Sequence, residues 1–98
     1  MDSERGLAKL AECRVLIDDV DVRILALLNE RTRIVEEIGR VKQTLTLPIY
    51  EPKREEQVYA NITAHNQGPM PNDAVKRVFE RIIDEMRTIQ QQRMKQQK

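Results

Sequence analysis

Arg31 and Lys42 are placed where aliphatic residues would be expected, and this demands a chemical explanation. At about 100° per residue, Val20, Ile24, Leu27, Leu28, Ile34, Val35 and Ile38 fall on one stripe of a helix, and both cations fall inside that stripe. A desolvated cation needs an anionic partner, and the apolar positions nearby offer none. The missing anion is then a ligand. The two cations lie eleven residues apart, about three turns, so they point the same way with roughly 16 Å of rise between them. Two long side chains reaching toward each other could close on a small dianion. Gly39 sits beside them and would let another element or a ligand approach the backbone. Arg14 lies on the edge of the stripe, well away from Arg31; serving the same ligand, it would come from the partner chain of an intertwined dimer.

Further along the chain, Arg54 and Glu55 flank the apolar side formed by Val58, Tyr59 and Ile62, and Gln90 lies on the stripe of Val75, Val78, Phe79, Ile82, Ile83, Met86 and Ile89. Each polar residue also has an ordinary explanation. Arg31 could snorkel its stem over the core and keep its head in water. Lys42 near a helix end, and Glu55 near a helix start, each complement a helix dipole. Gln90 could fray with the tail.

The elements that must position these residues follow from periodicity and punctuation. From Leu7 to about Leu45 there is no proline, and the only glycine is Gly39; Leu, Ala, Glu, Arg and Ile dominate, as suits one uninterrupted helix. Thr44 to Pro52 breaks the pattern, and Pro52 suits the first turn of a second helix running to about Asn66. Asn66-Gln67-Gly68-Pro69 is a stop signal, with Gly68 as left-handed cap. A third helix spans about 72–93, with Asn72 or Asp73 as N-cap, and the glutamine-rich tail frays. No internal repeat or strand-like alternation is present. The expected fold is all-α, one domain over 1–98 with long, short and long helices over about 7–45, 52–66 and 72–93. A helix of the first length measures roughly 57 Å, against a radius of gyration of about 13 Å for a compact chain of this size. Alone it would leave much of its stripe wet, so a homodimer sharing the long helices is expected.

Composition narrows the function classes. Aromatics are 3% and there is no Trp, so the core must be aliphatic. Charged residues make up 34%, at a net charge of +1, without the basic excess of a nucleic-acid partner or an aromatic platform for base stacking. The one cysteine, Cys13, allows no intrachain disulfide, and no zinc-type Cys/His spacing exists; on the apolar stripe it reads as a small buried hydrophobe. No metal or cofactor is expected. Neither an export signal nor a run of roughly 18 apolar residues is present, so a cytoplasmic location is expected. His65 and Tyr59 read as structural or surface residues, and Tyr50 receives no role.

The order Arg14, Asp21, Glu30-Arg31, Gly39-x-x-Lys42, Pro48, Arg54-Glu55, then Phe79-x-x-Ile82-Ile83 with Gln90 resembles the all-helical, type II chorismate mutase family over about residues 7 to 91. The resemblance implies three helices per chain, an intertwined homodimer with two equivalent sites, and rearrangement of chorismate to prephenate on the route to phenylalanine and tyrosine. It implies that Arg31 binds one substrate carboxylate and Arg14 of the other chain the second. Lys42 and Gln90 would hydrogen-bond the ether oxygen of the breaking bond, Glu55 and the Glu51 region would hold the ring hydroxyl, and Arg54 would line the site.

The residue types suit that chemistry. A [3,3]-sigmatropic shift needs no nucleophile, general base or metal. It needs the flexible enolpyruvyl arm folded over the ring, a freedom that arginine clamps restrict. Charge building on the ether oxygen is stabilised by a lysine in a water-poor site more than the substrate is, and this difference accelerates the reaction. Two residues depart from the family pattern: Met86, where relatives often carry a small hydroxyl that touches the substrate, and Glu51, where aspartate is common. Two rivals remain. Isochorismate pyruvate lyase is similar in fold, but Glu55 matches the mutase ligand for the hydroxyl, where the lyases lack a carboxylate. A non-catalytic helical dimerisation or regulatory module is the other.

Overall fold

The computed structural model describes residues 2–96. It holds three helices, α1 (Ser3–Leu45), α2 (Pro52–His65) and α3 (Asn72–Gln96), and no strand among the described residues. The chain is all-α, long, short and long, as expected. Helix α1 starts four residues before the expected Leu7 because Asp2 caps it: the Arg5 N–H donates to Asp2 Oδ1 at 2.8 Å, and the Gly6 N–H to the Asp2 carbonyl at 2.9 Å. It ends on a Schellman turn. The Leu47 N–H reaches back to the Lys42 carbonyl at 2.8 Å and the Thr46 N–H to that of Gln43 at 3.2 Å. Thr46 carries the left-handed conformation of that turn, at φ 58°.

Helix α2 begins with Pro52 in its first turn, and Glu51 at its N-cap makes no side-chain cap bond. It ends at His65, one residue before the expected Asn66, which is the C-cap. Gly68 is left-handed (φ 74°) but lies two residues beyond that cap, inside the connection. The cap is Asn66: its Nδ2 donates to the Met70 carbonyl at 2.8 Å and to Asn72 Oδ1 at 2.7 Å, and its Oδ1 accepts the Gly68 N–H at 2.9 Å. Asn72 and Asp73 lie within α3 rather than capping it, because the Val75 N–H already bonds to the Pro71 carbonyl at 3.0 Å. Helix α3 runs three residues past the expected end at 93. The end of the tail expected to fray, Gln97 and Lys98, lies outside the described residues.

Contacts divide the chain between Arg33 and Ile34 into two units. The first is the N-terminal part of α1. Ion pairs line its polar side, Arg23 with Asp19 at 3.3 Å and Lys9 with Glu12 at 3.5 Å, while Leu7, Leu16, Ile24 and Leu27 are exposed, Leu27 at 63%. Cys13, expected to be buried, is exposed as well, because its apolar neighbours on this stripe have no cover. The second unit holds the end of α1 with α2 and α3. Helices α2 and α3 pack on each other. Ile83, Met86 and Gln90 are buried one and two turns apart on α3, and Gly39 is the buried residue of α1. No helix among the described residues is long and apolar enough to cross a membrane.

Candidate active site

Lys42 lies in the last turn of α1, where the Schellman turn folds the connection back over it. Its side chain is 13% exposed, with Nζ 2.6 Å from Glu51 Oε1 and donating to the Ile49 carbonyl at 3.1 Å. The ammonium has a third hydrogen to give. This pairing also explains the bare start of α2: the Glu51 carboxylate that could have turned toward the helix N–H groups is engaged by Lys42 instead.

Glu55 sits in the first turn of α2 and forms an ion pair with Arg87 Nη2 of α3. The Arg87 guanidinium carbon stands 4.8 Å from the centre of the Tyr50 ring, and its Nη1 is 3.6 Å from Asp84 Oδ1. Neither Arg87 nor Tyr50 was assigned a role from the sequence. The available signal was that Arg87 follows Ile83 by four residues, on the border of the buried face of α3.

Gln90 is buried at 8%, so it is no part of a fraying tail. Its Nε2 donates to the Val35 carbonyl of α1 at 3.1 Å, which leaves a second amide hydrogen to give. A Cβ placed on Gly39 would stand 3.6 Å from Gln90 Cγ, an ordinary contact, so the glutamine stem packs here without the unusually close approach expected at Gly39. Gln90, Gly39, Gln43, Arg40, Glu36 and Arg93 line a small open cleft, across which Arg93 pairs with Glu36 at 2.9 Å. Met86 is buried at 7% and belongs to the apolar face. Arg54 is exposed and donates to Gln57 Oε1 at 3.4 Å, one turn along its own helix. Arg14 is exposed and Arg31 half-buried, both in the N-terminal unit.

Tyr59 adds an electrostatic feature. Its phenol is raised above the usual 10.0, by burial first and then by the negative charges of Glu55, Glu80 and Asp84, with Arg87 opposing. Lys76 lies 5.5 Å from the centre of its ring.

These features define an all-α protein that holds a lysine, a glutamine and a set of carboxylate–cation pairs on three helices. The family model for type II chorismate mutase matches residues 13–91, and the chain belongs to that family. It is 33% identical over 90 residues to a chorismate mutase of Methanocaldococcus jannaschii, covering 88% of each chain. Among solved structures it is similar to a chorismate mutase of Thermus thermophilus, with TM-score 0.82 and 40% identity, covering 85% of this chain and 94% of that one. It is also similar to the chorismate mutase of Helicobacter pylori in complex with prephenate, with TM-score 0.84 and 25% identity, covering 90% and 96%. The chain spans between 19% and 24% of the length of four bifunctional chorismate mutase/prephenate dehydratases that it matches.

Proposed function

We propose that this chain is a chorismate mutase that rearranges chorismate to prephenate within a homodimer. The observation that carries the reading is the family match over residues 13–91, a span that takes in Arg14, Arg31, Lys42, Glu51, Arg54, Glu55, Met86 and Gln90. Arg31, and Arg14 of the partner subunit, hold the two carboxylates and so keep the enolpyruvyl arm over the ring. Lys42 meets the charge that develops on the ether oxygen, through the hydrogen not engaged by Glu51 and Ile49. Gln90 gives its second amide hydrogen to the same oxygen, and its donor strength does not change with pH. Glu55 accepts the ring hydroxyl, aided by the region of Glu51, while Arg54 lines the site and Met86 supplies apolar wall. Lys42 is the principal contributor, because its cation stabilises the transition state more than the ground state.

The dimer is supported by the apolar side chains that the first unit leaves exposed, since contiguous patches of this kind mark an interface. Following chorismate consumption by purified protein, with identification of the product, tests the reaction. Prephenate is the expected product. Failure to consume chorismate, or release of pyruvate from isochorismate, would overturn the reading.

A further inference from the structure

We infer that Arg87 is a positioning residue that aims Glu55 at the substrate and cancels its charge. This rests on the reading of Glu55 as acceptor of the ring hydroxyl, and it goes beyond that reading by naming what makes a carboxylate tolerable there. A carboxylate beside a dianionic substrate repels it, because like charges a few ångströms apart in a partly desolvated site oppose each other strongly. Arg87 answers that charge directly: its guanidinium holds one oxygen of Glu55, Oε2, and leaves the other to accept a hydroxyl. The pair is shielded from water, with the two side chains 26% and 22% exposed.

The carboxylate also has a competing place to go. Glu51 offers the start of α2 no side-chain cap, so the backbone N–H groups of that first turn attract Glu55 back toward its own helix. Arg87 draws it toward α3 instead. The guanidinium is itself fixed: the Tyr50 ring faces it at 4.8 Å and Asp84 Oδ1 stands 3.6 Å from Nη1. A planar fork stacked on a ring fixes the direction of its hydrogen bonds, which a lysine point charge does not. By stacking on Tyr50, Arg87 also ties down the connection whose Ile49 carbonyl and Glu51 carboxylate hold Lys42.

The test is a double-mutant cycle on the full chain, with chorismate turnover and product inhibition by prephenate measured for wild type, Arg87→Met, Arg87→Lys, Glu55→Gln and the double variant Arg87→Met/Glu55→Gln. Arg87→Met is expected to raise KM and the prephenate inhibition constant by about tenfold, with a smaller change in kcat, because the hydroxyl contact is made in both ground and transition states. Arg87→Lys restores the charge but not the fork, so it should recover part of the loss. With Glu55→Gln already present, Arg87→Met should change KM little, because there is no longer a charge to cancel. Equal losses from Arg87→Met in both backgrounds, with a lowered thermal midpoint, would assign Arg87 to packing alone and overturn the inference. Wild-type kinetics in Arg87→Met beside an impaired Glu55→Gln would overturn it too, while leaving the role of Glu55 intact. A fully active Glu55→Gln would overturn that role, and the positioning role with it. Should Arg87→Met fail to fold, Arg87→Lys and the double variant Arg87→Lys/Glu55→Gln, measured in the same way, decide the question by the same criteria.

Discussion

In the proposed reaction Lys42 is the principal donor, and Glu51 at 2.6 Å and Ile49 at 3.1 Å hold its ammonium group. Lys42→Ala should lower kcat by at least about two orders of magnitude, the usual cost of removing a donor from a developing oxyanion, while circular dichroism reports an unchanged helix content. Tyr59 carries the residue-scale pH dependence. Its raised pKa means that the folded chain keeps the proton longer than the unfolded chain. The associated stability is present in full below the unfolded value of about 10 and is lost as pH rises through the higher folded value. A pH titration of phenolate absorbance should show one late-ionising tyrosine in wild type that is missing in Tyr59→Phe. Lys42 and Gln90 were legible in the sequence because a polar residue inside an apolar period stands out. Arg87 was not, since an arginine at the border of a stripe looks like any solvated side chain until the helix across from it is known. The same holds for Tyr50, whose contact with Arg87 joins a loop to a helix more than thirty residues later and leaves no periodic trace.

Thr46 sets the link between α1 and the loop that reaches Lys42. A left-handed conformation costs an L-residue about 1–2 kcal/mol, and threonine, branched at Cβ, is among the least suited to it. Glycine would remove that cost and lose about 0.5–1 kcal/mol of extra chain entropy on folding. Thr46→Gly should therefore stabilise the chain by about 0.5–1 kcal/mol, read as a higher urea midpoint at constant m. An unchanged or lower midpoint would show that the threonine side chain contributes something the turn geometry does not include. The helices themselves were readable from apolar period, Pro52 and the Asn66–Pro69 break, all of them local signals. The caps were less so. Asp2 begins α1 before any apolar period has started, and Asn66 outcompetes Gly68 as the cap because it reaches Met70 and Asn72 across the connection, a fit between segments that no local pattern encodes.

For the whole molecule, the exposed apolar side of residues 2–33 is the dominant fact, and its wetness in a single chain was legible because the helix is too long for a compact chain of this size. An apolar stripe accepts any apolar partner, so the length of the helix led to a homodimer as an expectation, which the family resemblance then reinforced. Light scattering should return twice the chain mass, and Leu16→Glu, which places a charge on that stripe, should return the single mass and abolish turnover. Mixing Arg14→Ala with Arg31→Ala protein should restore a fraction of sites, because one site of each mixed dimer then keeps both arginines; no recovery would mean that each site is built from one chain. The exposed stripe has a further consequence for how the protein behaves when dilute. In the proposed homodimer, folding depends on a second copy and is governed by mass action, so the thermal midpoint should climb with protein concentration, and activity per chain should fall as the protein is diluted below its dissociation constant. The amount of protein present would then set both the rate and the fraction of chains able to contribute to it.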